Sequence, residues 1–189
     1  LNSGQACISP NRLYVSEQHA DAFTETMVER VAKVSAGNGF TDGVGVGPLV
    51  NEAAVAKVEA QVDDAVGKGA AALVGGHRLT EGEFSDGHFF APTLLSGVTD
   101  TMTIYREETF GPVAPIITYG SVEEVVALAN DTEYGLAAYV YTNNISTAIR
   151  TAEGLRFGII GVNDVNPTSA SVPFGGMKDS GCGREGGEI

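Results

Sequence analysis

The sequence predicts an α/β fold, a mainly parallel sheet flanked by helices, because strand-like and helix-like segments alternate along its 189 residues. Short apolar runs are typical of buried parallel strands, whereas longer segments repeat apolar residues at helical spacing. Strands that alternate with helices of this size form parallel crossover units. With 43% hydrophobic residues, the chain has enough apolar material for one sizeable core or two small ones.

The first third of the chain contains two predicted helices. A strand over residues 12–15 precedes a helix over about 21–34, and a glycine-rich loop over 37–48 leads to a second helix over 51–68. Apolar residues recur at helical spacing in both helices: Phe23, Met27, Val31 and Val34 in the first, and Val55, Val58, Val62 and Val66 in the second. These stripes are expected to face the core.

The rest of the chain continues the alternation. Strands are predicted over residues 71–74, 89–95, 113–119, 136–142 and 158–162. Ser121 and Glu124 form a capping box for a helix that runs through about Ala129. A last helix is indicated by the stripe Ile145, Ala148, Ile149 and Ala152.

Charge and cysteine content narrow the class of protein. Eleven basic and 24 acidic residues give a net charge of −13, which disfavours nucleic-acid and membrane-surface partners. No apolar run is long enough to span a bilayer. Two cysteines, Cys7 and Cys182, are too few for a disulfide framework, so we expect a cytoplasmic protein. Leu1 already lies inside a motif, so we expect a piece of a longer protein.

Cys7 is the first candidate for chemistry. A cysteine nucleophile acts as a thiolate, which backbone N–H groups, a helix N-terminus or a nearby cation stabilise. The small residues Ser3, Gly4 and Ala6 let the backbone come close to a bound substrate. Composition alone favours the alternative of a buried structural cysteine, because free cysteines are among the most buried residues.

Two further segments combine unusual residues. In 107–112, Glu108 and Phe110 precede a Gly-Pro turn. Such a carboxylate is suited to bind the hydroxyls of a ligand, and such an aromatic ring to stack on a flat ring of the ligand. The alternative is an ordinary loop. Residues 173–185 are rich in glycine, which indicates a rigid wall around a ligand or, alternatively, a flexible tail. Neither a metal-ligand spacing nor a dinucleotide-binding GxGxxG turn is present, so no metal site is predicted.

Taken together and in order, these segments resemble the aldehyde dehydrogenase superfamily over nearly the whole chain. The motifs that carry the resemblance are 2–7 (NSGQAC), 47–49 (GPL), 90–93 (FAPT), 108–112 (ETFGP), 130–136 (NDTEYGL), 161–163 (GVN) and 173–178 (PFGGMK). The resemblance implies NAD- or NADP-dependent oxidation of an aldehyde to a carboxylic acid. Cys7 then attacks the aldehyde carbon, a hydride passes to the cofactor, and water hydrolyses the resulting thioester.

The resemblance also implies roles for other residues of this chain. Glu108 binds the nicotinamide ribose and Phe110 packs beside it. The residues that line the aldehyde pocket are Ala6, Ile8, Thr168, Ser169 and Phe174. Cys182 stands at a variable position of the glycine-rich motif and is interpreted as incidental.

Several groups that the family uses lie outside residues 1–189. The oxyanion-binding asparagine, the general-base glutamate and the dinucleotide-binding turn precede the cysteine motif in this family, and an oligomerisation extension follows the glycine-rich motif. We therefore expect residues 1–189 to be the catalytic domain of a longer, homo-oligomeric protein, without its N-terminal cofactor-binding domain and C-terminal extension, and inactive alone.

Among subfamilies, the chain is most similar to succinate semialdehyde dehydrogenases. Thr168 or Ser169 supplies a hydroxyl for the substrate carboxylate, whereas Leu1 stands where an arginine is common. One alternative is a general aliphatic or aromatic aldehyde dehydrogenase. The other is a non-catalytic structural or binding domain.

Overall fold

The computed structural model describes residues 2–187 and divides the chain into two compact units. These units are Leu1–Tyr119 and Gly120–Ile189. In chain order, the elements of the first unit are β1 (Leu13–Ser16), α1 (Ala20–Val31), α2 (Glu52–Gly67), β2 (Ala71–Val74), β3 (Arg78–Leu79), β4 (Phe89–Phe90), β5 (Thr93–Ser96), α3 (Thr103–Arg106) and β6 (Val113–Tyr119).

A four-stranded sheet in the order β1-β6-β5-β2 forms the centre of the first unit. β6 pairs in parallel with both of its neighbours, placing Leu13 opposite Ile116 and Thr93 opposite Val113. Only the edge strand β2 runs antiparallel, against β5. The prediction of an α/β fold with a mainly parallel sheet and flanking helices is therefore confirmed.

Helix α2 supplies much of the core of this unit. Its Asn51 cap accepts a hydrogen bond from the Ala54 N–H at 2.9 Å, as helix N-caps do. Val55, Val58 and Val62 are buried as predicted. The prediction for Val66 is wrong, since 46% of it is exposed. The buried face is centred near Val58 and also takes in Gln61 and Ala65, so Val66 falls beyond its edge.

Two other predictions in this unit need correction. α1 ends at Val31, so Val34 lies outside the helix. Here the chain leaves the helical path and leads into the β-bridge between Ala36 and Val46. The strand predicted over 89–95 is two strands. β4 pairs with β3 and β5 with β6, and they are separated at Pro92, which has no N–H to donate.

The second unit contains a parallel β-α-β arrangement and a small antiparallel pair. Its elements are α4 (Val122–Asn130), β7 (Tyr134–Gly135), β8 (Ala137–Val140), α5 (Ile145–Gly154), β9 (Ile159–Val162) and β10 (Met177–Lys178). β8 precedes α5 in the chain and β9 follows it, and these two strands pair in parallel. β7 and β10 form the antiparallel pair. No helix in residues 2–187 is long and apolar enough to cross a membrane.

The helix predictions in this unit are partly confirmed. The Ser121 Oγ accepts a hydrogen bond from the Glu124 N–H at 3.1 Å, and the Glu124 carboxylate accepts one from the Gly120 N–H at 2.7 Å. In α5, Ala148 is buried as predicted, but Ile145 and Ile149 are 74% and 50% exposed. The buried side of α5 is the one that carries Ala148 and Thr151. The predicted apolar stripe therefore lies partly on another side of the helix than the buried face.

Candidate active site

The loop before Cys7 has an unusual backbone. Asn2, Ser3 and Gly4 all have positive φ values, of 49°, 56° and 76°. At Gly4 a Cβ atom would lie 2.0 Å from the Gly111 carbonyl oxygen, a distance that no side chain tolerates. Glycine is therefore required at position 4, both for the left-handed conformation and for the contact with Gly111. This contact places the cysteine loop directly against the loop that contains Glu108.

Two side chains of the cysteine loop bond to backbone groups of the segment 47–50. The Ser3 Oγ accepts a hydrogen bond from the Gly47 N–H at 3.0 Å and donates to the Gly47 carbonyl at 3.4 Å. The Gln5 amide donates through Nε2 to the Pro48 carbonyl at 3.1 Å and accepts through Oε1 from the Val50 N–H at 2.9 Å. Each side chain thus engages both a donor and an acceptor, which fixes its orientation.

Cys7 lies in a turn closed by a 2.9 Å hydrogen bond from the Ser9 N–H to the Ala6 carbonyl. It is exposed, so the structure does not place it in the core as a structural cysteine. Its backbone N–H donates no hydrogen bond to another residue of 2–187. Ala6 and Ile8 flank it and are half-buried. The turn therefore presents a thiol and an unpaired N–H donor together.

Three contacts anchor the loop that carries Glu108 and Phe110. The Thr109 N–H donates to the Asn11 Oδ1 at 3.2 Å, and the Lys57 Nζ donates to the Glu108 carbonyl oxygen at 3.2 Å. A Cβ on Gly111 would lie 2.6 Å from the Val58 Cγ2, so this glycine sits tightly against α2.

The side chains of this loop remain available for a ligand. The Glu108 side chain is exposed, and within residues 2–187 its carboxylate has no ion pair or hydrogen bond. Phe110 is half-buried and has a φ of 55°, a left-handed value that is uncommon for an aromatic residue. Backbone strain of this kind is concentrated at functional sites.

Thr168, Ser169 and Phe174 belong to the second unit. Thr168 is half-buried and donates to the Asn166 Oδ1 at 3.0 Å, and the exposed Ser169 lies 3.0 Å from the Ser171 hydroxyl. Phe174 is half-buried and exchanges two 2.8 Å backbone hydrogen bonds with Glu185.

The glycine-rich segment 173–187 is folded against β7, which favours a rigid wall over a loose tail. The Lys178 Nζ donates to the Asn130 and Thr132 carbonyls at 3.1 and 3.0 Å. The Ser180 hydroxyl accepts from the Gly135 N–H at 2.9 Å. Cys182 is exposed within this segment.

Sequence reasoning identified both loops of the first unit but missed Asn11 and Lys57, which hold the second loop in place. These residues lie 98 and 51 positions from their partners. Neither belongs to a recognisable spacing, so no local pattern indicates them. The partners of Ser3 and Gln5 were missed as well, although the GPL motif supplies two of them.

One group of ionic side chains is centred on Arg78. Arg78 bonds to Glu52 and to Glu59, and the bond from Arg78 holds the pKa of Glu52 below its ordinary value. Glu52, Arg78 and His88 line a cleft of about 380 Å³ that does not include Cys7. Among residues 2–187, no group of three or more His, Cys, Asp or Glu side chains is arranged to hold a metal ion.

Comparisons with known proteins agree with this arrangement of motifs. The family model for the aldehyde dehydrogenase family matches residues 1–189. The non-phosphorylating aspartate-semialdehyde dehydrogenase of Halomonas elongata is 48% identical over 185 residues, which cover 98% of this chain and 37% of that protein. The NADP⁺ succinate-semialdehyde dehydrogenase of Escherichia coli is 45% identical over 185 residues, covering 98% of this chain and 38% of that protein.

A solved structure supports the same relationship. The betaine aldehyde dehydrogenase of Staphylococcus aureus, in complex with NAD⁺, matches with a TM-score of 0.94 at 37% identity. The match covers 99% of this chain and 37% of that one. The chain thus spans 37–38% of the length of these relatives. By motif order, identity and fold, the chain belongs to the aldehyde dehydrogenase family.

Proposed function

We propose that residues 1–189 are the catalytic domain of an NAD(P)-dependent aldehyde dehydrogenase in which Cys7 is the nucleophile. The observation that carries the proposal is the exposed Cys7 thiol beside its own unpaired backbone N–H, in a loop that Ser3 and Gln5 hold in place. A structural cysteine needs neither exposure nor a free donor. A covalent catalyst needs both, because it must reach the substrate and stabilise the charge that develops there.

The chemistry assigned to Cys7 is covalent. Its thiolate sulfur forms a bond to the aldehyde carbon, and the carbonyl electron pair moves onto oxygen. The Cys7 N–H donates to this oxyanion, since it has no competing acceptor in residues 2–187. When bound, the nicotinamide supplies the acceptor for the hydride that leaves this carbon, so that the bound group becomes a thioester. Water then adds to the thioester carbon, and the carbon–sulfur bond breaks to release the acid and the thiolate.

Glu108 and Phe110 fit the nicotinamide-ribose end of the cofactor. The exposed Glu108 carboxylate has unused acceptor capacity, which suits the two hydroxyl groups of a ribose. The adjacent Phe110 ring offers an apolar face beside it. One relative is named for NADP⁺ and one structural neighbour binds NAD⁺, so either cofactor is consistent with the family.

The remaining groups come from outside residues 1–189 in this proposal. A general base for the water, a side-chain amide for the oxyanion and the dinucleotide-binding turn lie in a further domain, and a C-terminal extension supports homo-oligomerisation. The two free cysteines suit a cytoplasmic setting. We accordingly expect the 189-residue chain alone to oxidise no aldehyde at a normal enzymatic rate.

For the substrate we propose an aldehyde that carries an acidic group, with succinate semialdehyde as the leading candidate. The support is the pair of relatives named for aspartate and succinate semialdehydes, together with the hydroxyls of Thr168 and Ser169. The net charge of −13 repels an anionic substrate, so local donors must provide the preference. Comparing kcat/KM for succinate semialdehyde and butyraldehyde tests this proposal, and a ratio near one would instead indicate a general aldehyde dehydrogenase.

The test of the nucleophile uses both cysteines in the complete protein. Cys7→Ala should abolish NAD(P)H formation from aldehyde, whereas Cys182→Ala should leave it nearly unchanged. Both side chains are exposed, so the two variants are matched in their effect on packing. Near-normal turnover by Cys7→Ala would contradict the assignment.

A further inference from the structure

One continuous segment, residues 47–58, contacts both candidate loops of the first unit. At its start, the Gly47 N–H donates to the Ser3 hydroxyl, and the Val50 N–H donates to the Gln5 amide oxygen. The Pro48 carbonyl accepts a hydrogen bond from the Gln5 amide nitrogen. These bonds join residues 44, 43 and 45 positions apart, so they are tertiary contacts that the local sequence does not impose.

The other end of the segment holds the Glu108 loop. The Lys57 Nζ donates to the Glu108 carbonyl oxygen, and the Val58 side chain fills the space that any Cβ on Gly111 would need. Lys57 and Val58 are consecutive, and they contact the backbone of this loop from one turn of helix.

The part between these two ends is rigid. It begins at the Asn51 cap and continues as the first turns of α2, where Val55 and Val58 are fully packed in the core. A capped helix with a buried apolar face does not bend or stretch easily, because its backbone is hydrogen-bonded along its length and interior side chains are closely packed. The segment 47–58 is thus a stiff support that contacts both loops and fixes the position of each.

We propose that Gln5 and Lys57 are positioning residues that set the placement of Cys7 relative to Glu108 through this segment. The inference rests on the proposed function, in which Cys7 attacks the aldehyde and Glu108 holds the nicotinamide ribose. Hydride transfer needs the carbon on Cys7 and the nicotinamide ring at a defined separation, and a misplacement of about 1 Å can cost about 100-fold in rate. Neither Gln5 nor Lys57 touches the reacting atoms in this assignment.

Substitutions of the two residues should change different quantities: kcat for Gln5 and cofactor affinity for Lys57. Gln5→Met keeps the length of the side chain but loses both hydrogen bonds, so we expect kcat to fall at least tenfold while the dissociation constant of the cofactor stays within twofold. Gln5→Glu keeps the acceptor for the Val50 N–H but loses the donor to the Pro48 carbonyl, and an intermediate kcat is expected. This second variant retains one anchor if Gln5→Met folds poorly.

Lys57→Met should weaken cofactor binding at least threefold and leave the rate of Cys7 alkylation by iodoacetamide within twofold. Lys57→Arg retains a donor and should restore most of the affinity, which a merely structural role for the side chain does not predict. Gln18→Met and Lys33→Met are controls of the same residue types, and both of these residues are exposed. They should behave as wild type in kcat, cofactor affinity and melting temperature.

The outcomes separate this inference from the proposed function. If Cys7→Ala abolishes turnover but Gln5→Met and Lys57→Met match their controls, the positioning role is wrong and the nucleophile stands. Equal losses of kcat and cofactor affinity in both variants, in step with a lower melting temperature, would also overturn it, since they indicate general destabilisation. If Cys7→Ala is active, the proposed function itself fails.

Discussion

The tight contact between Gly111 and Val58 leads to a quantitative prediction. In Gly111→Ala the new Cβ would lie 2.6 Å from the Val58 Cγ2, about 1 Å inside an ordinary carbon–carbon contact. Overpacking of this kind costs about 1–3 kcal/mol in the free energy of unfolding. Val58→Ala removes two methyl groups from a fully buried side chain, which costs about 2–3 kcal/mol when the cavity is included.

The double variant Gly111→Ala/Val58→Ala should lose much less free energy of unfolding than the two single variants lose together. The Val58 Cβ lies 3.7 Å from the position that the methyl carbon of an alanine at residue 111 would occupy, an ordinary contact, so the two alanines fit together. We expect a coupling energy of about 1–3 kcal/mol, measured by urea unfolding of all four proteins followed by circular dichroism. Additivity within about 0.5 kcal/mol would show that the two residues do not meet as described.

Three further predictions address the site and the fold. Glu108→Gln in the complete protein should cost about 1–3 kcal/mol in cofactor binding or hydride transfer, because a charge-assisted hydrogen bond becomes neutral. Unchanged steady-state kinetics would show that Glu108 does not belong to the site. The pKa of Asp64 is held below its ordinary 3.8, first by Lys68 and then by the Thr103 N–H. Asp64→Asn should therefore destabilise the protein at neutral pH, with the difference fading as pH falls from about 3.8 through the lower folded pKa; a difference in urea midpoint that is constant with pH would refute this. Ser121→Ala should lower the free energy of unfolding by about 1 kcal/mol through loss of the α4 cap, and an unchanged urea midpoint would contradict it.

Local patterns were sufficient for most elements. The capping residues Ser121 and Glu124 and the buried Val55, Val58 and Val62 follow from the spacing of residue types along one helix, which the sequence displays directly. Errors arose where neighbours decide the outcome. Val66 and Ile149 have the right spacing for a core stripe but lie outside the face that other elements happen to cover.

The motifs themselves were visible in the sequence, but their physical reasons were not. The Asn130 side chain, in the NDTEYGL motif, donates to the Gly154 carbonyl and accepts from the Arg156 N–H, both at 2.8 Å, and so joins the ends of α4 and α5. Asn163, in the GVN motif, pairs in the same way with the backbone of Thr142 at 3.0 Å. These residues hold the scaffold in place, a role that their position in a motif does not reveal.

The sequence by itself determined the family, the order of the longer strands and helices, and the candidate site residues Cys7, Glu108 and Phe110. Only the tertiary structure decided that the Cys7 and Glu108 loops meet at Gly4 and Gly111, and that α2 contacts the latter loop through Lys57 and Val58. Residue type and spacing encode interactions within a few positions along the chain. A contact between residues 51 or 98 positions apart depends on how all the intervening elements pack, and no local pattern carries that information.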